Sequence, residues 1–330
     1  MRKHSVILFL LFLLILSSCK GKLYSVYQID SVTDQASLPS MVSLNGGFAE
    51  IESANWIRIK DSYAFVINDT YSDSLLCEIR GKEGKILCRF IRKGNGPGEY
   101  LSPYLVELKS HDNGLHFTLL DKQRGRVIKY YYDPKENQVV EENEVQLGND
   151  VFPLRHLLRT DKGYIGIRDN MQKDIITLDE SFDTPTLHPY LDLDVEMTPK
   201  ESQLFQTMAC VSPDGKRVAL AYFHLPRVDI LSSDGTTRHV CYYGKRLLVE
   251  ESQGSGEYYF GAIECDNDYL YVKYEGAGEN IILKLAWDGR PVLAYDVPVM
   301  TFCCEKEYCY VLNLNRTTGM RTFSKFAISD

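Results

Sequence analysis

The sequence predicts an all-β fold, a six-bladed β-propeller whose blades are four-stranded antiparallel sheets. Six hairpins built from short apolar runs recur at intervals of 39 to 53 residues, and a period of roughly 40 to 50 residues is typical of propeller blades. The 22 Tyr and 14 Phe residues favour β-structure, and no long amphipathic helix pattern interrupts the runs. The first residue after each predicted turn is Tyr63, Leu115, Tyr164, Lys216, Tyr269 or Tyr308.

The hairpins share a turn chemistry that supports this repeat. Residues 264–272 and 303–311 both consist of a strand, a short polar turn and the sequence Tyr-x-Tyr-Val. In residues 213–215, Pro-Asp-Gly is a turn sequence because Gly adopts positive φ without strain. A third strand and often a fourth follow each hairpin. Residues 184–199 are predicted to be a loop, so blade 3 fits the repeat least well.

The N-terminus has the features of a bacterial signal sequence. Two basic residues precede the apolar run 6–16, which would span about 17 Å as a helix, roughly half of a hydrocarbon core. The run is therefore the apolar segment of a signal peptide covering residues 1–18. Leu-Ser-Ser-Cys at its end resembles the lipobox of bacterial lipoproteins, in which the cysteine, here Cys19, is lipidated. The alternative is an ordinary secretory signal that happens to end at a cysteine.

The predicted organisation follows from this leader. Residues 19–50 form a lipid tether and an N-terminal closing strand, and residues 51–330 form the propeller. Because the last blade ends after three strands, a strand from residues 24–44 is expected to complete it and close the ring. A disordered tether is the alternative for this segment. Lys20 directly after the lipidated cysteine favours the outer membrane over retention at the inner one.

Composition excludes one broad class of partner. The 330 residues include 37 Lys and Arg against 45 Asp and Glu, which gives a net charge of -8. Nucleic-acid binding needs a basic face, so we expect no nucleic-acid partner. Because anionic lipid repels an acidic surface, the acylated cysteine is the expected membrane anchor.

A glycine-rich segment between the first two repeats links the chain to a known family. The segment is Arg-Lys-Gly-Asn-Gly-Pro-Gly-Glu-Tyr over residues 92–100, and a degenerate copy occurs at residues 254–258. Together with the strand ends around Asp121 and residues 126–130, it resembles the TolB-like six-bladed β-propeller lipoproteins of Gram-negative bacteria. The resemblance covers roughly residues 50–330 and implies a propeller fold and export, without an assigned chemistry.

The glycine-rich segment is predicted to be structural. It lacks the Gly-Lys-Ser/Thr of a phosphate-binding loop, and its proline has no backbone N–H to offer a phosphate. We expect a tight crossover in which glycines allow close backbone approach and the glutamate accepts hydrogen bonds from loop amides. The residues assigned to this loop are Gly94, Gly96, Pro97, Gly98 and Glu99.

Eight cysteines follow Cys19, and an exported protein can form disulfides. A two-residue turn at 306–307 would place Cys304 opposite Cys309, so this pair is a possible disulfide. Around residues 81–84, one loop length pairs Cys77 with Cys88 and another places them on opposite faces of the sheet. Buried thiols are the favoured state of these cysteines. No Cys-x-x-Cys motif is present, so we expect no zinc site and no cofactor.

No catalytic constellation is evident in the sequence. The histidines are scattered, and no Gly-x-Ser-x-Gly motif occurs. Asp192 and Asp194 could act on a glycosidic bond only if the fold placed them across a cleft. Asp69, Asp121 and Asp169 are interpreted as turn caps.

The function predicted from these observations is a lipid-anchored binding module for an envelope protein or glycan. One alternative is a hydrolase or lyase with acids or histidines in the central channel, and the other is a purely structural envelope protein. A channel mouth without acid, histidine or metal would exclude the hydrolase.

Overall fold

The computed structural model describes most of the chain after the predicted leader. The described residues are 25–29, 36–37, 39–44, 54–68, 75–81, 83–111, 114–168, 174–183, 185–188, 204–244, 257–297, 299–314 and 321–328. Cys19, Asp69, Asp169, Asp192 and Asp194 lie outside these residues.

The described strands form six sheets, and each sheet is one blade of a propeller. Three short N-terminal strands come first: β1 (Ser25–Ile29), β2 (Ala36–Ser37) and β3 (Val42–Ser43). Blade 1 contains β4 (Ala54–Lys60), β5 (Tyr63–Asn68), β6 (Leu75–Gly81), β7 (Ile86–Lys93) and the short β8 (Glu99–Tyr100). Blade 2 contains β9 (Pro103–His111), β10 (Gly114–Asp121), β11 (Arg126–Asp133) and β12 (Gln138–Gln146). Blade 3 contains β13 (Leu154–Thr160), β14 (Gly163–Arg168), β15 (Ile175–Leu178) and β16 (Thr186–His188).

The second half of the ring repeats this plan. Blade 4 contains β17 (Thr207–Val211), β18 (Arg217–Tyr222), β19 (Arg227–Ser232) and β20 (Thr237–Tyr243). Blade 5 contains β21 (Phe260–Cys265), β22 (Tyr269–Tyr274), β23 (Ile281–Ala286) and β24 (Pro291–Tyr295). Blade 6 contains β25 (Thr301–Glu305), β26 (Tyr308–Leu314) and β27 (Arg321–Ala327). Within each blade these strands pair in chain order as an antiparallel meander, and only the short β8 adds in parallel to β7. This arrangement confirms the predicted fold class.

The first strand of each blade lies at the centre of the ring, where it neighbours the first strands of the adjacent blades. These six inner strands are β4, β9, β13, β17, β21 and β25. The two-residue turn between β25 and β26 has the predicted register, since Glu305 pairs with Tyr308.

An N-terminal strand completes blade 6, as predicted. Ser43 of β3 pairs with Ser324 of β27 in antiparallel register, and the backbone N–H of Leu44 donates to the carbonyl of Phe323 at 3.0 Å. The sequence did not predict that β1 and β2 would add in parallel to the outer edges of blades 4 and 5. The N-terminal segment therefore covers three consecutive blade edges that would otherwise present unpaired backbone groups.

The hydrophobic core lies between the blades. The described residues form six buried clusters, and each cluster joins two neighbouring blades. Alternate residues of one strand serve opposite interfaces: Phe117 and Leu119 of β10 pack towards blade 1, while Leu120 packs towards blade 3. The nearly continuous apolar runs in the sequence follow from this burial on both faces.

The prediction of a loop at residues 184–199 was wrong in part. Within the predicted loop at residues 184–199, Thr186–His188 forms β16 and pairs with β15. The strand is only three residues long and largely exposed, so it lacks the apolar alternation by which strands are identified in a sequence. Its anchoring contact is a hydrogen bond of 3.1 Å between Thr177 Oγ1 and His188 Nε2.

Candidate functional site

The six inner strands surround a central cavity of about 750 Å³, which is large enough for a small ligand. Residues from all six blades line it, so the cavity exists only in the closed ring. We call the end near the N-termini of the inner strands the start mouth and the end near the hairpin turns the hairpin mouth.

An ion pair lies inside the channel. Arg58 of β4 donates through Nη1 to Oε2 of Glu264 on β21, which joins blade 1 to blade 5. Glu264 is almost fully buried, whereas 30% of the Arg58 side chain remains exposed. Burial raises the pKa of Glu264 to about 7, although the positive charge of Arg58 acts in the opposite direction. The channel therefore holds a carboxyl group that changes protonation near neutral pH.

A neutral histidine organises the start mouth. Burial, together with the positive charges of Lys122 and Arg155, lowers the pKa of His156 well below its ordinary value. His156 Nε2 lies 2.6 Å from the carbonyl oxygen of Thr207, so this nitrogen carries the proton and donates it. Nδ1 is then the acceptor for the Tyr104 hydroxyl at 3.2 Å. Both ring nitrogens are therefore occupied: Nε2 fixes the ring against Thr207, and Nδ1 positions Tyr104.

Aromatic rings and cations surround this histidine. The Lys122 ammonium lies 4.2 Å from the centre of the Tyr104 ring. The Arg155 guanidinium lies 5.4 Å from the ring centre of Phe223 and donates through Nε to the Thr207 carbonyl at 3.1 Å. Arg58 lies 5.4 Å from the ring centre of Trp56. The start mouth therefore combines three cationic side chains with aromatic faces.

The hairpin mouth contains compensated charges instead. Lys60 Nζ lies 3.4 Å from both carboxylate oxygens of Glu305. Glu107 forms an ion pair with Lys109 at 2.6 Å, and its carboxylate lies 3.9 Å from the guanidinium of Arg159. These ion pairs join the ends of neighbouring inner strands. The two mouths therefore differ, because cations lie beside aromatic rings at the start mouth and beside carboxylates at the hairpin mouth.

The glycine-rich loop stands apart from the channel. None of Gly94, Gly96, Pro97, Gly98 and Glu99 lines the cavity. Glu99 Oε2 accepts a hydrogen bond from the Gly96 amide at 2.7 Å.

Close packing explains one of the loop glycines, and backbone conformation explains another. A Cβ on Gly94 would lie 2.1 Å from Glu99 Oε2, and Gly98 has a φ of +69°.

Arginine side chains hold the loop from the adjacent blade. Arg124 donates through Nη2 to the Gly94 carbonyl at 3.0 Å and through Nη1 to the Glu99 carbonyl at 2.9 Å. Arg126 donates to the same Glu99 carbonyl at 2.8 Å. Asp121, interpreted as a turn cap, accepts from the backbone N–H of Gln123 at 3.2 Å. These contacts assign the loop to the connection between blades 1 and 2.

The cysteines after Cys19 are free thiols. Cys304 and Cys309 face each other in the hairpin register. The sequence-based registers for Cys77 and Cys88 were wrong, since Cys77 pairs with Phe90 and Cys88 pairs with Ile79. A register shift at Arg80 moves the pairing beyond what either loop length predicts.

Sequence reasoning missed the central ion pair and the aromatic residues of the start mouth. The sequence does contain a common pattern, because Arg58 and Glu264 are both charged residues within apolar inner strands. Each lies two residues before the last residue paired ahead of the hairpin turn, which is Lys60 in one hairpin and Asp266 in the other. Their proximity depends on ring closure, which no local pattern encodes. His156 was identified only as one of several scattered histidines.

Within the described residues, no cluster of three or more His, Cys, Asp or Glu side chains is arranged to hold a metal ion. The same part of the chain contains no helix with the length and apolar character needed to cross a membrane.

The fold resembles solved β-propellers. A putative exported protein from Bacteroides fragilis aligns with a TM-score of 0.56 and 14% identity over 93% of this chain and 100% of that one. A member of the DUF4221 family from Bacteroides vulgatus aligns with a TM-score of 0.49 and 10% identity over 90% and 96% of the two chains. Neither a protein-family model nor a curated protein sequence matches the chain.

A partial match occurs in a larger protein. PorZ, a bacterial surface component of the type-IX secretion system of Porphyromonas gingivalis, aligns with a TM-score of 0.44 and 10% identity over 92% of this chain and 38% of that one. At 14% identity the first of these matches establishes a likeness of fold alone, and the structure that it matches is described as a putative exported protein. The fold itself defines the class of this chain as a six-bladed β-propeller.

Proposed function

We propose that this protein is an envelope lipoprotein of the TolB-like type, anchored through Cys19 to the outer membrane, and that its propeller binds a partner without catalysing a reaction. The lipobox-like sequence supports the anchor, and the exported structural neighbour is consistent with an envelope location. The binding function rests on the composition of the start mouth.

The start mouth has the properties of a site for an acidic glycan. Trp56 and Tyr104 are half-buried aromatic side chains, and such rings stack on the apolar faces of sugar rings. Lys122 and Arg155 lie beside them and can form charge-assisted hydrogen bonds with a carboxylate or sulfate. The overall charge of -8 would repel such a ligand elsewhere on the surface. These features favour an acidic glycan as the partner over a neutral one.

A thermal-shift panel tests this proposal. The probes are oligogalacturonate, chondroitin sulfate oligosaccharides and neutral maltotetraose. We expect an acidic probe to raise the melting temperature of the wild type, Arg155→Gln to abolish that increase, and Lys162→Gln, a surface control, to retain it. A pull-down from an envelope extract tests for a protein partner in parallel. If it captures an envelope protein and no glycan shifts the melting temperature, the ligand is a protein. The absence of both outcomes would contradict a binding function.

A catalytic function is the second candidate because of one observation. The pKa of Glu264, raised to about 7, is suited to a general acid or base, and the channel contains both an acid and a histidine. Binding is nevertheless favoured. Glu264 is paired with Arg58, and His156 uses both ring nitrogens for structural contacts. Turnover of an oligosaccharide by the wild type that is lost in Glu264→Gln would establish the enzyme instead.

A further inference from the structure

Two cysteines from neighbouring blades meet in the wall of the channel. Cys210 lies on β17 of blade 4, and Cys265 ends β21 of blade 5. Both side chains belong to the apolar cluster between these blades, and both line the central cavity. The Cys265 thiol donates a hydrogen bond to the carbonyl of Val211 at 3.0 Å, directly beside Cys210. Burial first, and then the neighbouring Cys265, raise the pKa of the Cys210 thiol well above its ordinary value.

We propose that Cys210 and Cys265 form a reversible disulfide that covalently joins blades 4 and 5 when the protein is oxidised. β17 and β21 belong to different sheets, so this interface has no ladder of backbone hydrogen bonds. Side-chain packing holds the two inner strands together. A bond between the two sulfurs would fix one wall of the channel in place.

The reaction balances as a thiol–disulfide exchange with a small disulfide, such as glutathione disulfide, as the oxidant. Cys265 is half-buried and Cys210 is buried, so the Cys265 thiolate is the group that reaches the oxidant. It attacks one sulfur of glutathione disulfide and releases one glutathione. The Cys210 thiolate then attacks the Cys265 sulfur, and the second glutathione leaves. The protein loses two protons and two electrons, and the oxidant becomes two thiols.

The pair differs from the other close pair of thiols. Cys304 and Cys309 face each other within one hairpin, so a bond there would close only a short loop. A bond between Cys210 and Cys265 closes a loop of roughly 55 residues and constrains the unfolded chain more strongly. We therefore expect oxidation at this site to raise the melting temperature by about 5 °C.

Peptide mapping of the full chain tests the proposal without reference to any ligand. The protein is equilibrated with glutathione disulfide, its remaining thiols are alkylated, and it is digested without reduction. We expect a linked peptide containing Cys210 and Cys265 that is two hydrogens lighter than the two free peptides and separates on reduction. Alkylation of both cysteines after this treatment, or a linkage of either one to a different cysteine, would overturn the proposal.

Variants connect the bond to stability. Cys265→Ser should remove both the linked peptide and the increase in melting temperature on oxidation, while Cys88→Ser should retain both. The wild-type peptide map needs no variant and decides the case if a variant fails to fold. An equal increase in melting temperature in Cys265→Ser would also contradict the assignment.

Discussion

Arg58 and Glu264 form an ion pair across the channel although 206 residues separate them in the sequence. The contact joins an inner strand of blade 1 to one of blade 5, with blade 6 between them in the ring. Because the carboxylate is almost fully buried, its charge is tolerated through the guanidinium beside it. The pair therefore links the electrostatics of the channel to closure of the ring.

Stability should depend on pH through Glu264. Its pKa is raised from an ordinary 4.5 to about 7, so the folded state binds this proton more tightly than the unfolded state does. The contribution of protonated Glu264 to the free energy of unfolding is complete below about pH 4.5 and is lost as the pH rises through 7. The unfolding free energy of the wild type minus that of Glu264→Gln should fall by about 3 kcal/mol over this range. Urea denaturation at several pH values measures it, and a difference that is flat or rises with pH would refute this assignment.

The loop between blades 1 and 2 should depend on Arg124. Its guanidinium donates to the Gly94 and Glu99 carbonyls, which would lose these partners in Arg124→Met. We expect a loss of about 2 kcal/mol in the free energy of unfolding. Arg290→Met is a matched control, because its pair with Asp288 is exposed and contributes little. Chemical denaturation of both variants measures the losses, and equal ones would show that Arg124 does not secure the loop.

Much of this architecture was predictable from the sequence, because every blade repeats the same hairpin pattern. The two-residue turn at residues 306–307 was predicted with its observed register, in which Cys304 pairs with Cys309. The channel was not predictable in the same way. Arg58 and Glu264 look locally like polar interruptions of apolar strands, and only closure of the ring brings them together. The parallel pairing of β1 with β20 was also not predicted, since the residue pattern of a strand does not specify which sheet edge it joins.

Closure of the ring should be sensitive to proline at Leu44. Its backbone N–H donates to the Phe323 carbonyl at 3.0 Å, and proline would remove that donor from the closing strand. We expect Leu44→Pro to lower the free energy of unfolding by about 1 to 3 kcal/mol. Ser40→Pro, upstream of the β3 pairing, should change it little. Urea midpoints measure both variants, and matching midpoints would argue against a closing role for β3.

Membrane attachment should depend on Cys19. Its thiol is the predicted site of lipidation, so Cys19→Ala should move the protein from the membrane fraction to the soluble fraction after cell lysis. Acyl chains on the cysteine are the only anchor that this prediction requires. Cys88→Ala provides a control that retains the lipobox. Sedimentation followed by immunoblotting measures the distribution, and continued co-sedimentation of the Cys19 variant with membranes would reject the lipid anchor.

Tryptophan fluorescence tests the proposed channel site most directly. The chain has two tryptophans, and Trp56 lines the cavity whereas Trp287 lies outside it. In a Trp287→Phe variant, emission therefore reports on the channel alone. Titration with oligogalacturonate should change the Trp56 emission in a saturable manner that weakens with added salt, while maltotetraose should not. Saturable binding of oligogalacturonate, measured by calorimetry, that leaves the Trp56 emission unchanged would place the ligand elsewhere and contradict the channel as the binding site.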